Sequence, residues 1–290
     1  MPVRPATRSD IPAMAEIYAA AFQNDSLFRL LFPHSEQHPD DFVEAARERL
    51  SLAWYDFGQI LMVSYQASPG DMGQDQDEGS ALLASGAPKQ IGSEMVTGFA
   101  LWERVGKGWE HVHGAWGRWD PRESRIFPTD KACPLSSSIP GLLIKPTVST
   151  FYSVRRYFWP NKAAVQPTAK DPDPLTLWNF VPRILPFCAH FFSAPHRQIR
   201  WSLEVLTVHP SHQGKGYGRE LVEDGLLRAK KDPSGDLPVC VVAAHRKEEF
   251  YRKVGFNEIV GYTTKTADKD GKKNPLGQNN VEGGAVLWTK

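Results

Sequence analysis

Gln213-Gly214-Lys215-Gly216-Tyr217-Gly218 is the stretch of this sequence with the plainest chemical use. Glycines in alternate positions allow positive φ and close backbone approach. A helix that starts directly after such a loop aims its free N–H groups and the positive end of its dipole at whatever sits there. A pyrophosphate needs that arrangement, and Lys215 and Arg219 add positive charge beside it. Two better-known phosphate loops do not fit. The GxGxxG dinucleotide fingerprint spaces its last two glycines three residues apart, whereas Gly216 and Gly218 are two apart, and a P-loop needs Ser or Thr where Gly216 stands. The bland alternative is a glycine-rich turn into a helix.

Other reactive side chains are fewer. Glu204 is a lone carboxylate in the otherwise apolar run from Ser202 to Val208. By the two-residue period of a strand it shares a face with Leu206 and Val208. A charge there is costly unless it is paired or lines a groove, and a structural, arginine-paired role is the alternative. Cys240 has no His or Asp beside it that would make it a nucleophile. His111 and His113 share one side of a strand-like segment, but no third ligand stands at suitable spacing, so no metal is expected. His209 and His212 flank the glycine loop and read as loop caps.

These groups need elements to hold them. A short strand, Val3 to Ala6, leads to Ser9-Asp10 at an N-cap position, Pro12 in the first turn and apolar residues at helical spacing as far as Phe22. A second helix is predicted from Asp40 to about Trp54 and a strand from Gln59 to Tyr65. Residues 66–93, rich in Gly, Ser, Asp and Gln, are predicted to be a flexible loop before a strand at Glu94 to Glu103. The segment from Arg104 to Arg200 holds 12 of the 23 prolines, which predicts irregular chain with short helices near Thr150–Trp159 and Leu175–Leu185. From Trp201 onward the pattern is regular. It reads as strand Ser202–Val208, loop, helix Arg219–Lys231, buried strand Pro238–Ala244, helix Arg246–Lys253, and strands at Val254–Tyr262 and Ala285–Lys290.

With 290 residues, 41% hydrophobic, the chain can bury a substantial core as one enlarged domain. A net charge of +1 argues against a protein dominated by contacts to nucleic-acid phosphates. The three cysteines, Cys133, Cys188 and Cys240, form no CxxC and are odd in number, so a reducing compartment is the simpler reading. The N-terminus has no signal-peptide core, and Pro182, Arg183 and Pro186 interrupt the longest apolar run. A soluble, cytoplasmic protein without membrane partners is expected.

Strand, V-x-P-x-x-Q-G-K-G-Y-G loop and helix together resemble the coenzyme-A-binding motif of the GNAT N-acetyltransferase superfamily, Q/R-x-x-G-x-G/A. Phe250-Tyr251-Arg252-Lys253-Val254-Gly255-Phe256 looks like the family's second signature. The resemblance covers residues 1–65, 94–103 and 201–290, and it implies an α/β (α+β) fold. That fold has a mixed, mostly antiparallel central sheet flanked by helices and splayed between strands four and five. It implies one GNAT domain over 1–290, with 104–200 as an insertion between the third and fourth strands. It further implies acetyl-CoA as co-substrate, without metal. Leu206, Thr207 and Val208 would hold the pantetheine arm by their backbone, and Gln213, Gly214, Lys215, Gly216, Tyr217, Gly218 and Arg219 would take the pyrophosphate. Tyr251 matches the tyrosine that protonates the departing thiolate in several members, or else is a core aromatic. Glu204 is the matching base candidate. One departure is Ala244, where many members carry Asn or Ser.

The implied activity is transfer of an acetyl group to the primary amine of a small molecule by direct attack on the thioester. A protein lysine or N-terminus as acceptor stays open, as does a non-catalytic acyl-CoA-binding role. The aromatics of 104–200, among them Trp109, Trp116, Trp119, Phe151, Tyr157 and Trp159, suit a concave apolar pocket, so this segment is expected to build the acceptor side. A packing appendage is the alternative.

Overall fold

The computed structural model describes residues 2–56, 58–66, 94–107, 138–267 and 271–290. Its centre is a seven-stranded sheet in the order β1-β2-β3-β4-β5-β7-β6. The strands are β1 (Val3–Pro5), β2 (Gln59–Gln66), β3 (Met95–Val105), β4 (Arg200–Val208), β5 (Val239–Ala243), β6 (Glu258–Tyr262) and β7 (Ala285–Trp288). Every neighbouring pair is antiparallel except β4 and β5. Their pairing covers only Trp201–Leu203 against Val239–Val241, after which the two strands part. The chain therefore has the mixed, splayed, mostly antiparallel sheet that the resemblance implies.

Period-two alternation in β2 and β3 feeds two cores. Leu61, Val63, Phe99 and Leu101 face α1 (Ile11–Phe22), α2 (Ser26–Leu31) and α3 (Pro39–Trp54). Ile60, Met62, Ala100 and Trp102 face the other way, toward Leu221, Val222 and Ala229. The helix carrying those three residues spans Tyr217–Lys230 and lies closest to the sheet at Gly225, where an added Cβ would stand 2.1 Å from the Trp102 ring. Trp102 and Trp288 are fully buried.

Most expected elements form, with shifted ends. The helix expected from Arg246 starts at Glu248, because Arg246 has a left-handed backbone, φ 60°. The strand expected from Val254 starts at Glu258, since Gly255 turns the chain at φ 113° first. Helix α2 has six residues, too few for a readable period, and is set by Asp25, whose carboxylate accepts from the Leu27 and Phe28 N–H groups at 2.9 and 3.3 Å.

Between β3 and β4, α4 (Ser138–Phe158) is much longer than expected and α5 (Phe180–Cys188) is displaced from its expected position. Arg155 and Arg156 of α4 pair with Glu44 and Glu48 of α3, and the Trp178 indole N–H donates to Glu48 at 2.9 Å. Ala163 and Ala164 join the α1–α3 core, while Ile184, Cys188 and Phe191 pack on Cys240, Val286 and Trp288. The loop expected at 66–93 lies outside the described residues, apart from Gln66 at the end of β2. The two remaining helices are α6 (Tyr217–Lys230) and α7 (Glu248–Lys253), with a single turn at Pro275–Gln278.

At the sheet's lower end a buried ion pair joins three elements. Arg104 Nε donates to Asp232 Oδ2 at 2.8 Å, and the Trp201 indole N–H reaches the same oxygen at 2.9 Å. Both ionic side chains are almost wholly buried. The pair ties β3 and β4 to the loop that follows α6.

Candidate active site

The glycine loop is built as its spacing implies, with one correction. Gly214 (φ 76°) and Gly216 (φ 94°) have positive φ, and Gly216 caps α6. Gly218 does not. It is an ordinary helical residue, and an added Cβ would meet Val208 Cγ2 at 3.6 Å and Phe250 Cζ at 3.8 Å, normal contact distances. Among the described residues no backbone acceptor takes the N–H groups of Gly214 through Arg219; the first capped bond runs from Glu220 N–H to the Gly216 carbonyl at 3.2 Å. The Gln213 amide donates to the Val208 carbonyl at 3.1 Å, clamping the loop to the end of β4. Lys215 and Arg219 are exposed, and Arg219 pairs with Glu223 at 2.7 Å. His209 acts as the expected cap, its Nδ1 accepting from the Ser211 N–H. Burial, then the charges of Lys215 and His209, lowers the proton affinity of His212.

Among the described residues no strand covers the β5 side of β4 beyond Leu203. Register decides which of its backbone groups are open. His209 N–H bonds the Thr97 carbonyl, which makes Val208–Gly98 a wide pair and Thr207–Phe99 a hydrogen-bonded pair. The backbone of Thr207 is thus committed to β3, while Leu206 and Val208 turn theirs to the splay. Thr207 has instead a buried hydroxyl with no partner among the described residues.

This open edge forms one wall of a cleft of about 920 Å³. Leu206, Thr207, Val208, Gln213, Gly214, Gly216, Tyr217, Gly218 and Arg219 line it, as does Tyr251 from α7; Lys215 and Glu204 do not. The Tyr251 phenol is pushed up by burial and its ring packs edge-on against Phe250 and Phe256. Ala244 lines the cleft at the position of the missing Asn or Ser.

Glu204 sits elsewhere, for a definite reason. Leu101 pairs with Val205 and Trp102 with Leu203, so Glu204 is the extra residue of a β-bulge. The bulge inverts the alternation. Leu203 and Leu206 face the α6 core while Val205 faces the α1–α3 core, so Glu204 does not share a face with Leu206 and Val208. Its exposed carboxylate accepts from Ser202 Oγ at 2.6 Å. Val242 of β5 is also 48% exposed, so a strip of central sheet lies uncovered beside the splay.

Sequence reasoning missed a whole side of the cleft. Ala21, Phe22, Asn24, Asp25, Ser26 and Arg29 come from the α1–α2 turn, Asn280 and Glu282 from the β6–β7 loop, and His245 and Lys247 from the end of β5. The Asn24-Asp25-Ser26 cap signal marks a turn there, but nothing local says what the turn faces. The described part of 104–200 lines none of the cleft, contrary to expectation. Its composition suited a pocket, but Phe151, Tyr157 and Phe158, on a helix that packs against α3, and Trp159 just after it are more than 60% exposed. Trp109, Trp116, Trp119, His111, His113 and Cys133 lie outside the described residues. Burial pushes the Cys240 thiol up to about 11, which leaves it inert. Among the described residues no three His, Cys, Asp or Glu side chains gather as a metal site, and no helix is long and apolar enough to cross a membrane.

Residues 184–258, from α5 through β4, the glycine loop, α6, β5 and α7, match the sequence model of the acetyltransferase (GNAT) domain. That stretch of the chain is similar to a GNAT acetyltransferase domain. Similar solved structures include a histone acetyltransferase and related acetyltransferase from Corynebacterium glutamicum, 17% identical, with a TM-score of 0.46 over 99% of this chain and 94% of that one. A mosquito arylalkylamine N-acetyltransferase-like protein is 11% identical, with a TM-score of 0.39 over 99% and 97% of the two chains. Arylalkylamine N-acetyltransferase 2 from Aedes aegypti is 13% identical, with a TM-score of 0.38 over 99% and 97%. None of the curated proteins matches the sequence. The GNAT match ends at Glu258, so the β6–β7 loop that lines the cleft lies outside it.

Proposed function

We propose that this GNAT protein transfers the acetyl group of acetyl-CoA to the primary amine of a small molecule. The observation that carries the reading is the convergence, in one cleft, of free N–H groups at the start of α6, the open backbone edge of β4 and the Tyr251 phenol. The residues fit a pantetheine thioester ending in a pyrophosphate. Gly214 to Arg219 take the pyrophosphate through backbone N–H groups, and the backbone of Leu206 and Val208 holds the arm and polarises the thioester carbonyl. The unpartnered Thr207 hydroxyl offers one more bond.

Acetyl-CoA supplies an activated acyl group with a thiol leaving group. The residues of this chain then handle the protons. Burial keeps the Tyr251 phenol protonated through the neutral range, a donor toward the departing sulfur. A thiolate in the same poorly solvated space is also more basic than in water, so the two stay matched. The exposed Glu204 carboxylate, bonded by Ser202 Oγ outside the cleft, is not assigned the acceptor's proton.

A small amine is favoured over a polypeptide by one contact. The Glu282 N–H donates to Ser26 Oγ at 3.0 Å, joining the β6–β7 loop to the α1–α2 turn beside the cleft. An extended chain crossing the site has to open that bridge; a small amine does not. The reading is tested by calorimetry with acetyl-CoA, followed by a panel of small amines and lysine peptides with thiol detection. Binding of acetyl-CoA with thiol release on small amines supports it. Release on peptides alone makes a protein the acceptor, and binding without release on any amine makes the protein a non-catalytic binder.

A further inference from the structure

A surface helix ordinarily turns its apolar stripe to the core and its charges to water. Helix α4 does the reverse. Its inward face carries Arg155 and Arg156, which pair with Glu44 and Glu48 of α3, and the Arg156 guanidinium also stands 4.8 Å from the centre of the Trp178 ring. Its outward face carries Phe151, Val154, Tyr157 and Phe158, and Trp159 follows directly; these five side chains are 51–83% exposed. Steps of three and four residues keep Phe151, Val154, Tyr157 and Phe158 on one side of the helix.

Charge and area say what fits this face. Arg155 and Arg156 are the only charged residues from 147 to 160, and both are engaged with α3, so the outward face is uncharged. A helix lying in a membrane surface keeps Lys and Arg free for anionic headgroups, and an acidic protein partner needs the same free cations. With both arginines turned inward, α4 suits neither, whereas a like, neutral surface meets no opposing charge. An aromatic side chain offers roughly 150–250 Å², so four of them at these exposures, with Val154, leave on the order of 600 Å² of apolar surface. That is the upper end of the largest patch on a typical monomer, about 300–600 Å². Two copies face to face bury about 1,200 Å², where stable interfaces begin.

We propose that the outward face of α4, with Trp159, is the interface of a homodimer, and that a second copy of this chain covers it. A closed pair uses the same patch on both copies. With the two-fold axis at Val154 the helices run antiparallel, Phe151 of each copy meets the partner's Tyr157 and Phe158, and the two Val154 side chains meet each other. Tyr, Phe and Trp without charge are the composition of a buried interface centre. The ion pairs to Glu44 and Glu48 fix α4 on α3, so the face is presented by a held helix. No described residue of α4 lines the cleft, so both clefts stay open in the dimer and the proposal stands apart from the acetyltransferase reading.

Sedimentation velocity of the full chain from about 1 to 100 μM tests it. The wild-type chain should sediment at twice its 32.5 kDa mass at the upper concentrations. Val154→Glu sets two carboxylates against each other at the axis, and Tyr157→Ser removes an aromatic anchor from each copy. Each should raise the dimer dissociation constant at least about 30-fold, as loss of an interface hot spot does. Both positions are exposed, so circular dichroism should be unchanged. A second arm needs no disruption of the dimer. Val154→Cys should give a disulfide-linked dimer under mild oxidation, and the wild-type chain, oxidised alongside it, should not. A wild-type chain that stays monomeric at 100 μM overturns the proposal, and if that monomer sediments with phosphatidylserine vesicles the face belongs to a membrane. A dimer that neither Val154→Glu nor Tyr157→Ser weakens, and that Val154→Cys does not cross-link, is built on another face and overturns it equally.

Discussion

Replacing Gly216 by Val tests the coenzyme loop most directly. Gly216 has φ 94°, beyond the left-handed basin near +57° that L residues reach with difficulty. Forcing a side chain there costs about 1–2 kcal/mol, and a branched Cβ more. The loop relieves the strain by turning φ negative, which swings the N–H groups at the start of α6 off their common focus. Loss of one charge-assisted hydrogen bond to a pyrophosphate is worth about 1.5–3 kcal/mol, or roughly 10- to 150-fold in Kd. Gly218→Ala is the matched control. Its backbone is helical and its Cβ has 3.6 Å to the nearest atom, so affinity should hold within about twofold while helix propensity improves by up to about 1 kcal/mol. Calorimetry with acetyl-CoA reads the affinity and circular dichroism confirms the fold. A folded Gly216→Val protein with wild-type affinity, or a Gly218→Ala protein as weak as Gly216→Val, refutes the reasoning.

Tyr251→Phe should lower kcat by about 100-fold with acetyl-CoA affinity unchanged; wild-type turnover under rate-limiting chemistry makes Tyr251 a packing residue. Gly225→Ala should destabilise the fold by about 1–3 kcal/mol in urea melts despite its better helix propensity, because its Cβ would lie 2.1 Å from the Trp102 ring; unchanged stability shows that α6 lifts freely from the sheet. Asp232→Asn should cost about 3–5 kcal/mol, since it leaves Arg104 buried without its anion. Burial raises the proton affinity of Asp232, but the bonds from Arg104, Ser234 N–H and Trp201 outweigh it, so the folded carboxylate titrates below the usual 3.8. The unfolded chain then binds the proton first. Wild-type stability from this pair is therefore complete above about pH 4 and falls as pH drops through the folded value. Thermal melts from pH 7 to 2 should show that loss, and Asp232→Asn should lack it.

The two cores explain why the cleft exists. Helices α1–α3 cover one face of the sheet and α6 the other, and both cores need β4. The bulge at Glu204 lets one strand serve both, since it moves Leu206 to the α6 side and Val205 to the α1–α3 side. The same irregularity comes where β5 leaves β4, so the polar edge opens where the packing pattern switches. The segment 138–199 contributes to this scaffold by packing on α3 and under β5 and β7.

Sequence by itself determined the parts whose causes are local. Residues 213–219 form an N–H-lined turn into a helix because glycine torsions and helix starts are set within a few residues, and no distant contact is needed to read them. The long amphipathic helices and alternating strands were legible for the same reason. Tertiary structure alone decided the rest. One bulge residue reversed the face of Glu204, which no period-two count can foresee, because the bulge exists only in the pairing of β3 with β4. Aromatic composition between 104 and 200 described a need for burial without saying where; α4 met part of that need on α3 and left Phe151, Tyr157 and Trp159 in the open. Residues of the 21–29 turn, His245, Asn280 and Glu282 are remote in sequence, and they line one cleft because β5 and β7 are neighbours and α2 begins beside them. Contacts of that range depend on the completed sheet, and the chain carries no local signature of them.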